Sequence, residues 1–216
     1  MRILFICFLL AAFISCNNSQ KEQGAARTGV SKHSNSFNSS VQRAMDSYHA
    51  LTEAFVNWDS IAVIRQSADL ELRLDSINFY GFVPETVTAP ADTLFLAKKD
   101  LQAMAANKSI TDKRHDLNSL TQHLYDFLSV VQYDEKKIYL NECPMAFNDT
   151  IAADWLSQSE AIRNPYLGLH HPTYGRAMIE CGQMKSVIDF TSQRDIKQKH
   201  EENEDKNETK DTKSKK

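Results

Sequence analysis

From Val41 onward, apolar residues recur at steps of three and four, and this rhythm persists through several successive segments. The clearest instance is Leu117, Leu120, Leu124, Phe127 and Val131. Such spacing places side chains on one face of a helix, and a face of that kind must be buried against something. The same rhythm runs through Val41, Met45, Tyr48, Leu51, Phe55 and Trp58, so a first helix is expected there. Asp59-Ser60 has the chemistry of a helix cap, and Ile61, Ile64, Ala68 and Leu72 line an expected second helix reaching about Ile77. Gly81, Pro84 and Pro90 interrupt the pattern. A third helix is expected from Ala91 to about Ala106, lined by Leu94, Ala97, Leu101 and Met104, and a fourth from Thr111-Asp112. Short connections favour antiparallel neighbours. The expected fold is therefore mainly α, an antiparallel helical bundle. Met45 and Met104 lie on the stripes and are read as packing residues. His115 and His123, eight positions apart on the fourth helix, diverge around its axis and are read as surface side chains.

After Tyr133 the pattern changes. Lys137-Ile138-Tyr139-Leu140 alternates like a short strand leading toward Cys143, and Asn164-Pro165, Gly168, Pro172 and Gly175 mark turns. A small, irregular, β-containing C-terminal module is expected to follow the bundle. It carries two pairs of sulfur residues, Cys143-Pro144-Met145 and Met178-Ile179-Glu180-Cys181. Thiolate and thioether are soft, polarizable donors that select monovalent copper, Cu(I), and by extension Ag(I), over hard cations. Residues two apart in an extended segment share a side, as do residues three apart in a helical turn, so each pair can converge. His170 and His171, on the loop before Met178, are possible additional ligands because imidazole also binds copper. The alternative for the same two cysteines is a Cys143–Cys181 disulfide that staples a protein-interaction module without metal.

The ends of the chain speak to compartment. Met1-Arg2 is followed by an apolar run from Ile3 to Ile14, too short for a permanent membrane span but of signal-peptide length. Phe13-Ile14-Ser15-Cys16 resembles the lipobox of bacterial lipoproteins, although that motif prefers a smaller aliphatic residue at the place of Phe13. The resemblance implies a signal peptide over residues 1–15, lipidation (palmitate) of Cys16, and a membrane-anchored protein facing the periplasm or cell surface of a Gram-negative envelope. Polar residues 16–40 are expected to form a flexible tether, and the charged residues 194–216 a disordered tail in which His200 is incidental. The ordered domain is then residues 41–193. A net charge of −3 argues against nucleic acid as a partner. No nucleophile with a positioned base and no phosphate-cradling loop is legible, so an enzyme is not expected.

The words Cys143-Pro144-Met145-Ala146, Trp155-Leu156-Ser157, Ile162-Arg163-Asn164-Pro165-Tyr166, Gly168, Met178 and Cys181-Gly182 occur in order over about 40 residues. This segment, 143–182, is similar to the metal-associated module of CusB-type periplasmic adaptors of heavy-metal efflux pumps. It also resembles a family of periplasmic proteins and lipoproteins, described as a domain of unknown function, with the same module behind a helical bundle. The resemblance implies a role in copper or silver resistance, sequestering the ion or delivering it to an efflux pump or adaptor. It implies Cys143, Met145, Met178 and Cys181 as ligand positions. The Leu169–Ala177 loop is longer than in the shortest adaptors.

Overall fold

The computed structural model describes residues 30–192. Expectations for the signal peptide, Cys16, residues 17–29 of the tether and the tail lie outside the described residues. Within them, four α-helices precede a small antiparallel sheet: α1 (Asn35–Val56), α2 (Ser60–Asp75), α3 (Thr88–Ala106), α4 (Ile110–Val130), β1 (Ile138–Phe147), β2 (Ile151–Ser157) and β3 (Gln183–Ile188). In sequence order, α1 packs on α2, α2 on α3, and α3 on α4; β1 lies between β2 and β3, and α4 lies against β2. The mainly α expectation holds, with the sheet as the β-containing part. No helix among the described residues is long and apolar enough to cross a membrane.

Helix α1 begins at Asn35, so the tether expected up to residue 40 ends earlier. Ser34 caps the helix through a hydrogen bond from the Phe37 N–H. Phe37, four residues before Val41, extends the apolar stripe by one turn and is fully buried. The expected residues Val41, Met45, Tyr48, Leu51 and Phe55 are all buried on α1, as are Leu94, Ala97, Leu101 and Met104 on α3. Leu117, Leu120, Leu124 and Phe127 are buried on α4, and Val131 just past its end. Asp59 caps α2, its side chain accepting from the Ile61 and Ala62 N–H groups. Helix α4 opens at Ile110, one residue before the expected Thr111, with Ser109 accepting from the Asp112 N–H.

The expected face of α2 requires correction. Ile61, Ile64, Ala68 and Leu72 are exposed, Ile61 at 78 % and Leu72 at 66 %. The buried face is Ala62, Val63, Ser67, Leu70 and Leu74. Ser67 sits in this face because its hydroxyl reaches the Val63 carbonyl oxygen at 2.8 Å and the Met104 sulfur at 3.1 Å. A polar residue so satisfied is cheap to bury, and hydropathy alone assigns it to solvent.

Bundle and sheet share one apolar core. Tyr48 joins them: its hydroxyl lies 2.7 Å from Thr121 Oγ1 on α4 and accepts the Leu156 N–H of β2 at 3.2 Å.

Candidate functional site

Strand β1 is longer than the short strand expected, and Cys143 stands inside it, opposite Ala153 of β2. The Cys-Pro-Met segment is thus not a turn. Pro144, exposed, interrupts regular pairing: the register between β1 and β2 shifts between Cys143 and Phe147. A proline cannot donate to the ladder and is tolerated at such irregularities. The consequence is local and chemical. The Met145 backbone is placed where it lowers the pKa of the Cys143 thiol.

Cys181 arrives from the other side, immediately before β3. Residues 177–180 form turns rather than a helix, with the Cys181 N–H donating to the Met178 carbonyl at 3.0 Å. The three-residue separation expected to bring Met178 and Cys181 together is therefore spanned by a turn. Gly182 has φ +144°, a region that side chains rarely adopt. A Cβ placed there would lie 2.7 Å from Trp155 Cη2 and 2.9 Å from the Glu142 carbonyl oxygen. Only glycine lets this segment lie directly on β1, and that approach sets Cys181 against Cys143.

Asn164 fastens the arrangement. Fully buried, it accepts the Tyr166 and Leu167 N–H groups at its Oδ1 (2.7 and 3.1 Å) and donates from Nδ2 to the Cys181 carbonyl at 2.6 Å. Its own backbone N–H donates to the Ile179 carbonyl at 2.8 Å. Its side chain also lies near enough to Cys143 to lower that thiol's pKa. Tyr166 donates its hydroxyl to the Asp154 carbonyl at 2.5 Å, tying the Asn-Pro-Tyr turn to β2. Sequence reasoning read Asn164 only as a turn residue; its partners lie far along the chain.

The two thiols are free, Cys143 fully buried and Cys181 half-buried, and they lie close enough that Cys181 raises the Cys143 pKa. Burial pushes the Cys143 thiol above its ordinary pKa. The Asn164 side chain and the Met145 N–H pull it down, and the Cys181 neighbour raises it. Met145 and Met178 are half-buried against the same apolar core. The structure thus brings together the two segments that carry the four sulfurs, with the cysteines in contact.

The histidines are placed elsewhere. His170 is exposed. His171 packs edge-on against Trp58 and stacks on Tyr174, and its Nδ1 accepts the Thr173 and Tyr174 N–H groups at 3.1 and 3.3 Å. Among the described residues, no three or more His, Cys, Asp or Glu side chains are grouped to hold a metal ion. Neither imidazole is grouped with the cysteine pair among the described residues. His123 is bonded through Nδ1 to Asp100 at 2.6 Å, and His115 stacks on Phe147 at 3.8 Å.

No curated protein and no solved structure matches the chain. A family match does exist, but it stops short of β1 and does not reach segment 143–182, on which the likeness to CusB-type adaptors rests. Residues 44–136, within the helical part of this chain, match the model of a family described as "Protein of unknown function (DUF3347)".

Proposed function

We propose that this protein takes up a soft monovalent ion, Cu(I) or Ag(I), at Cys143 and Cys181 with Met145 and Met178 as supporting donors. It would hold the ion outside the cytoplasm, anchored through Cys16, for sequestration or for delivery to a heavy-metal efflux pump or adaptor. The observation that carries this reading is the contact between the two thiols, each within a few residues of a half-buried methionine. The likeness of segment 143–182 to the metal-associated module of CusB-type adaptors supports it. Thioethers beside thiols favour copper(I) over zinc, which takes thiolate and imidazole.

The chemistry follows from the two environments. Cys181 is half-buried and is the donor an arriving ion meets first. Cys143 is dry and keeps its proton at neutral pH. Coordination displaces that proton and the one on Cys181 to solvent, and the Met145 N–H and Asn164 stabilise the thiolate that remains. A site with few donors and one open side can also release the ion by ligand exchange.

The test is anaerobic Cu(I) titration against a competing chelator. The Met145→Leu, Met178→Leu double variant is expected to keep its fold and to bind about ten- to a hundredfold more weakly, the scale on which supporting groups tune metal sites. Unchanged affinity in that variant removes the thioethers from the site.

A second reading draws on the same contact. Two adjacent thiols in an oxidising compartment form a disulfide, which would close the loop between residues 143 and 181. In the chain-entropy view this stabilises the domain by about 3 to 4 kcal/mol. Protein purified without reductant then has no titratable thiols and, after reduction, takes up no copper. Reduced protein that binds one Cu(I) decides for the metal.

A further inference from the structure

Two neighbouring cations on α4 are buried, and they differ in one respect. Lys113 is satisfied: its ammonium donates to the Met104 carbonyl at 2.5 Å and the Asn107 carbonyl at 2.6 Å, closing the end of α3. Arg114 is only 3 % exposed, and its Nε and Nη2 have no hydrogen-bond partner among the described residues. Its guanidinium lies 3.3 Å over the ring centroid of Trp58. Stacking on an aromatic face offsets part of the lost hydration, but it supplies no acceptor. Burial draws the pKa of Arg114 down to about 9, so it remains a cation at neutral pH. A buried cation whose Nε and Nη2 lack an acceptor is costly.

Arg114 lines a cavity of about 270 Å³ together with Trp58, His115, Phe147, Asp149 and His171. The cavity is bounded by the end of α1, the start of α4, the end of β1 with the β1–β2 turn, and residues 167–173, and neither cysteine lines it. Two features of its rim are conformationally demanding. Trp58, which stacks on Arg114, has φ +57°, and Asn148 and Asp149 in the turn have φ +50° and +60°. The charge within the cavity is limited. Burial, and then the charge of Arg114, hold the His171 pKa below its ordinary value, with Asp149 opposing them, so His171 is neutral at pH 7. The Arg114 cation shares the cavity with one rim carboxylate, Asp149, which itself accepts a hydrogen bond from the Tyr174 hydroxyl at 2.7 Å. This balance suits an incoming anion of single charge; a dianion would meet Asp149 with its second charge uncompensated.

We propose that this cavity is a binding site for a small monocarboxylate, its carboxylate held by Arg114 and its carbon body against Phe147 and Leu167. The planar guanidinium matches a carboxylate's two oxygens, and the volume limits the ligand to a small acid. The site uses none of the residues of the proposed metal centre.

The chain has two tryptophans, so the indole N–H resonances of Trp58 and Trp155 report separately on this cavity and on the sheet. The protein is titrated with benzoate, propionate and inorganic phosphate at pH 8, where phosphate is chiefly the dianion and Arg114 is still a cation. A saturable shift of the Trp58 signal with benzoate or propionate, and a weaker one with phosphate, is the expected result. Arg114→Met is expected to fold with an unfolding temperature equal to or above that of the parent, since it removes an unpaired buried charge. It should weaken carboxylate binding by about tenfold or more. The exposed Asp149→Asn serves as a second variant, expected to tighten benzoate and to admit phosphate. No saturable Trp58 response to either carboxylate overturns the proposal, as does an equal response in Arg114→Met. Equal affinity for phosphate in the parent protein also overturns it, and so does indifference of both anions to Asp149→Asn.

Discussion

Gly182 is where the geometry of the cysteine pair is decided. With φ +144° and a would-be Cβ 2.7 Å from Trp155 and 2.9 Å from the backbone at Glu142, it has neither conformational nor spatial room for a side chain. Gly182→Ala is expected to cost about 1–3 kcal/mol in urea unfolding, the scale of one strained residue. It should also lift Cys181 off Cys143. Thiol-modification kinetics under native conditions check this, with faster reaction of Cys181 expected in the variant and an unaltered rate counting against it. The Cys-Gly pair is visible in the sequence, but the need for glycine comes from Trp155, on another strand. Asn164 is similar: Asn-Pro announces a turn, whereas its grip on the Cys181 carbonyl exists only in three dimensions. Arg114 was more legible than its charge suggests. Stepping back three and four positions from Leu117 along the α4 stripe lands on Arg114 and Lys113, so two buried cations could have been anticipated from phase alone.

Helix α2 shows the limit of reading an element by itself. Its sequence offers two stripes at helical spacing: Ile61, Ile64, Ala68, Leu72, and Val63, Ser67, Leu70, Leu74. The first is more apolar to the eye, but the second is the one placed between α1 and α3. Leu70→Ala is therefore expected to destabilise by about 2–5 kcal/mol, and Leu72→Ala, two positions away, by about 0.5 kcal/mol or less. Denaturant melts of the two variants measure the difference directly, and equal losses would mean that α2 packs through its other face in solution. Helices α1, α3 and α4 carry a single stripe each and were readable for that reason. Strand β2 was not readable as a strand, because Ala153, Asp154, Trp155 and Leu156 are all buried and show no alternation. With Tyr166 anchored to Asp154 and α4 also lying against β2, the period-2 signal of a half-exposed strand never arises. For the sulfur site, the residue types and their grouping were legible. The contact between its halves was not, since it depends on a strand and a turn with no local signature.

At the scale of the whole molecule, the shared core sets a pH limit. Three of its acid groups are held protonated chiefly by burial. Burial pushes the Tyr48 hydroxyl up from 10.0 to about 12, with its bonds to Thr121 and Leu156 opposing, and it also pushes Tyr166 well above the tyrosine range. Burial likewise raises Cys143 from 9.0. In each case the folded state holds a proton more tightly than the unfolded chain does. The stability this contributes is present in full below the unfolded value and is lost as pH rises through the folded one. Folding stability should therefore change little on their account up to about pH 9. On their account it should then fall, first as unfolded chains release the Cys143 proton and more steeply above pH 10 as the two tyrosines join. Arg114 and Lys113, whose pKa values burial lowers (Arg114 to about 9), oppose that fall, so it is read in Arg114→Met beside the parent. Because Tyr48 couples α1, α4 and β2, and Tyr166 braces the turn that carries Asn164, bundle and sheet should melt together rather than in two stages. Urea midpoints between pH 7 and pH 11, followed in parallel by far-ultraviolet circular dichroism and by tryptophan fluorescence, test both statements. Coincident curves whose midpoint declines only in the alkaline range are expected. A midpoint that stays constant to pH 11 in Arg114→Met, or a sheet signal lost well before the helices, would mean that the hydroxyls at the centre of this fold are not sealed from water.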